Sequence, residues 1–353
     1  MYGQWIAGSM QSSSSPVRSW CVNAESSSYS GQPKLTTASL ENPVIQAMIR
    51  RRDGALQIST KLGLVVEGGG MRGAYSGGAL VALEQLGFGS VFDDVYGESA
   101  GAINCSYFLA KQGQLGIRIY TEDLQTVRFL NPLRTAAVLD IDYVGDVVLK
   151  KLKPLDTAAV LASRSNFFVA ITSAEDGSSR LVDVKREKLP LLTLLKATAA
   201  IVPLYNRSVS LDGGAYVDGG LSNPIPIQSA LDAGCTHILV LLTRPPEFVF
   251  RPFSPYQRAM ISLLLRGWKP AFVDAFFRDR PLRYRLARDL ALGKTSCSAA
   301  LAVIGPGSDS PKITRTTLSP AKLKLGIQDA MTRTFAAFGS SKGVSAAAGH
   351  GDL

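Results

Sequence analysis

Leu62-Gly63-Leu64-Val65-Val66-Glu67-Gly68-Gly69-Gly70-Met71-Arg72-Gly73 is a short apolar run that breaks into three consecutive glycines; Val95-Tyr96-Gly97-Glu98-Ser99-Ala100-Gly101 follows a little further on. Each apolar run reads as a buried strand, and after each glycine-rich turn the pattern becomes helical. Leu80, Leu83 and Leu86 keep one face apolar until Gly87; Ile103, Tyr107 and Ala110 do the same until Gly113. Gly97 and Gly101 flank Ser99 at minus two and plus two. A nucleophilic serine has to stand clear on a sharp strand-to-helix turn, and glycine lets the neighbouring backbone pass closely. The helix that follows brings free N–H groups and a positive dipole end towards an oxyanion forming at Ser99.

The triple glycine admits two readings. Gly68, Gly70 and Gly73 satisfy the G-x-G-x-x-G fingerprint of a dinucleotide site between strand and helix. Glu67 would then set a negative charge against the pyrophosphate, and Asp93 and Asp94 precede a strand where the ribose ligand should end one. In the other reading the amides of Gly68, Gly69 and Gly70 form an oxyanion hole, with Arg72 adding positive charge or bracing the loop. The serine elbow on the next strand favours this second reading.

The 353 residues carry a formal charge of +10, 46% hydrophobic residues and 8% aromatics, which is a globular composition. No apolar run reaches the length of a membrane span. Cys21, Cys105, Cys235 and Cys297 lack metal-ligand spacing and read as free thiols of a reducing compartment. The charge is concentrated: from Arg244 to Lys294, eleven Lys or Arg face four Asp or Glu, interleaved with aromatics such as Phe248, Phe250 and Phe253. That stretch reads either as an ordinary basic face or as a surface resting on anionic lipid headgroups. No nucleic-acid-binding module accompanies it.

Strand and helix patterns alternate from residue 62 to 242, which predicts an α/β fold: a mainly parallel central sheet with helices on both faces. Asn42 caps a short helix that begins at Pro43. Asp176-Gly177 and Asp212-Gly213 each turn a hairpin. Residues 1–41 are expected to be a flexible Ser-rich tail or an organellar transit peptide, 42–243 a catalytic core, 244–338 a basic aromatic part of the same domain, and 339–353 a second flexible tail.

A histidine base is hard to find. His237 opens a buried strand and His350 lies in the tail, so a carboxylate is the better partner for Ser99. Asp218 follows a strand and precedes a loop with Gly219 and Gly220, where it can take the serine proton directly. The order G-G-G-x-R-G, G-x-S-x-G, D-G-G resembles the patatin-like phospholipase family, over about Leu62 to Leu242; Lys312 to Gly326 is also similar to the tail of bacterial members. The resemblance implies a three-layer fold and a serine lipid acyl hydrolase with Ser99 as nucleophile and Asp218 as its dyad partner. Gly68, Gly69, Gly70, Arg72, Gly73 and the Ala100 N–H would serve the oxyanion, with no metal or organic cofactor. The partner would be a lipid at a membrane surface, reached by an intracellular, peripherally bound enzyme. A nucleotide-dependent oxidoreductase and a non-catalytic lipid-binding module are the alternatives.

Overall fold

The computed structural model describes residues 38–55, 59–134 and 137–340. In chain order the main elements are α1 (Pro43–Arg52), β1 (Leu62–Val66), α2 (Gly73–Gln85), β2 (Asp94–Gly97), α3 (Ala100–Leu109), β3 (Asn166–Ser173), β4 (Ser179–Asp183), α4 (Leu191–Ala199), β5 (Val209–Leu211), β6 (Gly214–Asp218), α5 (Ile227–Asp232), β7 (His237–Leu241), α6 (Pro255–Leu264), α7 (Arg280–Ala291), β8 (Ala300–Ile304) and α8 (Pro320–Ala337). The strands form one sheet in the order β5-β6-β3-β2-β1-β7-β8, with β4 also paired to β3. β3-β2-β1-β7-β8 are parallel; the β3-β4, β3-β6 and β5-β6 pairs are antiparallel. The fold is therefore α/β, with a mixed, mostly parallel sheet.

Helices cover both faces because the central strands are apolar throughout. In β1, Leu62, Leu64 and Val66 point into a core shared with α1, α2, α3 and α8. Val65 points the other way, into a second core with Ile227 of α5 and Tyr284, Ala287 and Ala291 of α7. At α1, Asn42 Oδ1 accepts the Val44 N–H at 2.9 Å, and its Nδ2 donates to Leu301 O of β8.

Several expectations need correction. α2 is buried on every side from Gly73 to Leu83, because α8 closes over its outer face; a Cβ on Gly78 would lie 2.7 Å from Ile327 O. α3 stops before Gly113: Lys111 takes a left-handed turn at φ 57°, and Gly113 opens the next short helix. Residues 1–37 and 341–353 lie outside the described residues, and with them most of both expected tails. The described stub 38–41 is tied down, since the Ala38 N–H donates to Val303 O at 3.3 Å. Cys105 and Cys235 are buried free thiols and Cys297 is a half-buried one; Cys21 lies outside the described residues.

Candidate active site

The parallel strands end together at one edge of the sheet, and both glycine-rich turns lie there. Ser99 occupies the step between β2 and α3 at φ 52°, ψ −133°. A non-glycine residue held in such a conformation costs on the order of 1–3 kcal/mol, and strain of this kind is found at functional turns. The turn is tight enough to dictate its glycines: a Cβ on Gly101 would lie 2.5 Å from Val66 O, and one on Gly97 2.8 Å from Ala102 Cα. The Ser99 N–H donates to Thr198 Oγ1 at 2.9 Å, and Thr198 donates on to Ala170 O at 2.6 Å. α4 thus braces the elbow through a residue that no motif identified.

Asp218 reaches Ser99 through the sheet. On β3, Val169 sits between Gly97 of β2 and Val182 of β4, whereas Ile171 sits between Asp218 of β6 and Arg180 of β4. β2 and β6 therefore lie on the same edge of β3 and meet end to end. Where β2 turns away, β6 delivers its last residue. The Ser99 hydroxyl donates to Asp218 Oδ2 at 2.7 Å, and Oδ1 accepts the Gly220 N–H at 2.8 Å. Thr172 Oγ1 donates to the Asp218 carbonyl at 2.8 Å. Gly219 is forced by packing, since a Cβ there would lie 2.1 Å from Ala170 O. Ser99 and Asp218 are both buried. Burial raises the Asp218 carboxyl above its usual range, and the Ser99 hydroxyl and Arg315 moderate the rise.

The remaining candidates separate. The Gly68 N–H donates to Glu98 Oε1 at 2.6 Å, and the Gly73 N–H is turned into the helix, towards Gly70 O and Met71 O. Neither amide is free for an oxyanion, which corrects the sequence reading for Gly68 and Gly73. Gly69, Gly70 and Ala100 keep N–H groups with no acceptor among the described residues. Gly73 matters for spacing instead: a Cβ would lie 2.3 Å from Tyr120 Oη and 2.7 Å from Ala100 Cβ. Arg72 folds back over Gly69 and lines the cavity.

The same engagements disfavour a dinucleotide. Glu67 is a clamp: it accepts the Thr243 N–H at 2.7 Å and the Tyr284 hydroxyl at 2.9 Å. The Met71 N–H is held by Arg315 O at 3.1 Å. Asp93 and Asp94 sit at the opposite end of the strands from the glycine loop, paired with Arg51 and Lys61. His237 is at that far end too, beside Leu62, roughly 13 Å along the strand from the level of Gly97. His350 lies outside the described residues. Asp212 is the hairpin turn, at φ 51°, and pairs with Arg180 at 2.7 Å.

Sequence reading missed Glu98, Thr198, Arg244, Arg280 and Arg315. The cavity that holds Ser99 and Asp218 is lined by Arg72, Arg244, Arg280 and Arg315 and by apolar Ile201, Val202, Phe250 and Phe276. Arg280 belongs to the basic aromatic stretch that reads as an ordinary or a lipid-facing surface, but it lines this cavity. Arg283 is also withdrawn from solvent, donating to Gly177 O at 3.0 Å and pairing with Asp279 at 3.6 Å. Burial holds the Glu98 carboxyl well above its usual range, reinforced by the Asp218 charge. Among the described residues no three His, Cys, Asp or Glu side chains converge as metal ligands do, and no helix is long and apolar enough to cross a membrane.

Residues 64–231 match the family described as patatin-like phospholipase. The uncharacterized protein YjjU of Escherichia coli (strain K12) is 29% identical over 197 residues, which are 54% of this chain and 54% of YjjU. The chain thus spans about half the length of the curated relative it matches. The crystal structure of VipD from Legionella pneumophila superposes with a TM-score of 0.46 at 13% identity, covering 78% of this chain and 67% of that one. Residues 64–231, just under half of the chain, are thus what is similar to the patatin-like phospholipase family.

Proposed function

We propose that the protein is a serine lipid acyl hydrolase in which Ser99 and Asp218 act as a catalytic dyad. The observation that carries the reading is the 2.7 Å hydrogen bond from Ser99 Oγ to Asp218 Oδ2 at a strained elbow. Ser99 Oγ attacks the acyl carbonyl carbon as its proton passes to Asp218. The tetrahedral oxyanion accepts N–H groups from Gly69, Gly70 and Ala100. On collapse the C–O ester bond breaks, and the leaving alcohol takes the proton from Asp218. Water then attacks the acyl-enzyme with Asp218 as base, releasing the fatty acid and restoring Ser99. A carboxylate made more basic by burial suits this work.

The substrate is proposed to be met at a membrane surface. α6 is apolar on two opposite faces: Ile261 and the adjoining Leu265 pack inward, while Tyr256, Met260, Leu263 and Leu264 are exposed. Val249 and arginines 251, 258, 266 and 278, in and beside this segment of the chain, are exposed as well. An exposed apolar helix face in a segment rich in exposed arginine suits the boundary of an anionic bilayer.

Fluorophosphonate labelling followed by location of the adduct tests the hydrolase reading. Attachment at Ser99, lost in Ser99→Ala, is expected. Attachment elsewhere, or membrane affinity without any ester turnover, would sink it and favour a non-catalytic lipid-binding protein.

A further inference from the structure

The lining of the site is unusual in charge. Arg72 comes from the glycine loop, Arg244 follows β7, Arg280 opens α7, and Arg315 lies in the loop before α8. Three of the four fall outside the family-matched residues 64–231. All four face one cavity with Ser99. Among the described residues none of them forms an ion pair, although arginines elsewhere do, as Arg180 does with Glu187 and Asp212. Arg72 Nε, Arg244 Nη1 and Arg315 Nε are sealed from solvent without a hydrogen-bond partner.

Packing guanidinium groups together with open donors is unfavourable unless an anion joins them. Burial lowers Arg72 to about 9 and Arg280 and Arg315 to about 10, each helped by the charge of its arginine neighbours. All three therefore stay charged at neutral pH. The opposing carboxylates are Glu67, Glu98 and Asp218. Because Glu98 tends to keep its proton, four positive groups face two carboxylates, leaving an excess of two. Guanidinium forks match phosphate oxygens in geometry as well as charge.

We propose that Arg72, Arg244, Arg280 and Arg315 form a phosphomonoester subsite beside Ser99. The ester this protein cleaves then carries such a dianion, as phosphatidic and lysophosphatidic acids do. The proposal rests on the hydrolase reading for its substrate, and on the arginine cluster alone for anion binding. An uncharged acylglycerol would leave that excess of two positive charges unanswered, and a choline phosphodiester would answer it with one negative charge and bring a cation.

Two measurements test it. Calorimetry on the Ser99→Ala protein should detect binding of inorganic phosphate and of glycerol 3-phosphate, weakened about tenfold or more in Ser99→Ala/Arg315→Gln. In the wild-type chain, dioctanoyl phosphatidic acid should exceed dioctanoyl phosphatidylcholine and dioctanoylglycerol in kcat/KM by about tenfold or more. Arg280→Gln and Arg315→Gln should shrink that ratio, chiefly through KM for the phosphatidic acid, and Arg315→Lys should restore part of it. If Arg280→Gln does not fold, the Arg315 pair carries the test. Absence of phosphate binding to folded Ser99→Ala protein overturns the subsite. Phosphate binding with equal kcat/KM for the three lipids overturns the substrate assignment and makes free phosphate the ligand. A fall in kcat/KM by the same factor for all three lipids in the arginine variants also overturns it. Labelling away from Ser99 sinks the hydrolase reading instead, and the phosphate-binding result stands apart from it because it needs no turnover.

Discussion

Glu98 Oε1 accepts the Gly68 N–H at 2.6 Å, so the residue preceding the serine also holds the first glycine of the loop facing it. The two glycine-rich turns are thereby fastened to each other across β1 and β2. Since burial and the Asp218 charge favour protonated Glu98, a neutral amide can replace the carboxyl. Glu98→Gln should keep most ester turnover at neutral pH. Glu98→Ala leaves a buried N–H unmet, at a cost of about 1–3 kcal/mol, and should lower both thermal stability and turnover. Equal behaviour of the two variants in a thermal melt with a parallel ester assay would contradict this role.

The two Asp-Gly-Gly turns give a paired test. Asp218→Asn should lower kcat/KM by about 10²- to 10⁴-fold, because an amide cannot accept the serine proton. Asp212→Asn should leave kcat/KM nearly unchanged. Asparagine tolerates the left-handed turn at that position, and the ion pair it loses with Arg180 involves a half-exposed carboxylate. Exchange of the two phenotypes in steady-state kinetics would reverse the assignment.

The raised Asp218 carboxyl has two consequences in pH. The acid limb of kcat/KM, followed with a soluble ester, should lie above the ordinary aspartate range, because the base must be unprotonated in the free enzyme. For stability the sign is opposite. The folded chain binds the Asp218 proton more tightly than the unfolded chain does, so stability falls as pH rises from the ordinary aspartate value through the raised one. Asp218→Asn should therefore be more stable than wild type at neutral pH, and the difference should shrink towards pH 4 in urea unfolding. A wild type more stable than the variant at neutral pH would refute that account.

Membrane attachment should depend on the outer face of α6 and on the arginines that stay exposed. Reversing Arg251, Arg258 and Arg266 should weaken sedimentation with anionic vesicles, each charge contributing about 1 kcal/mol near the surface, with salt screening the effect. Leu263→Glu should act even on neutral vesicles, since Leu263 is exposed and apolar. Both should lower vesicle binding more than they lower hydrolysis of a soluble short ester. Binding that ignores every one of these changes would make the face an ordinary solvated one.

Much of the fold was legible because its signals are local. The apolar runs at Leu62 and His237, the glycines at the turns, the Asn42 cap and the Asp212-Gly213 hairpin each declare themselves within a few residues. The helices were misjudged where distant chain covers them: α2 is wrapped by α8, and the stub before Asn42 is tied to β8. The arginines show the limit most clearly. In sequence, Arg280 belongs to a run of surface-type charge together with Arg278 and Arg283; in the fold, Arg280 enters the cavity while Arg278 faces solvent.

By itself the sequence determined that Ser99 sits on a strand-to-helix elbow, that a glycine loop precedes it, and that Asp218 ends a strand. These follow from steric rules and apolar periodicity, which act over neighbouring residues. Tertiary structure alone decided that β6 takes up the edge of β3 where β2 leaves it, bringing Asp218 to Ser99. It also decided which loop amides remain free, and that arginines from four separate segments share one cavity. Those relationships depend on strand order and on which charges lose their water, and both are settled only when distant parts of the chain pack together.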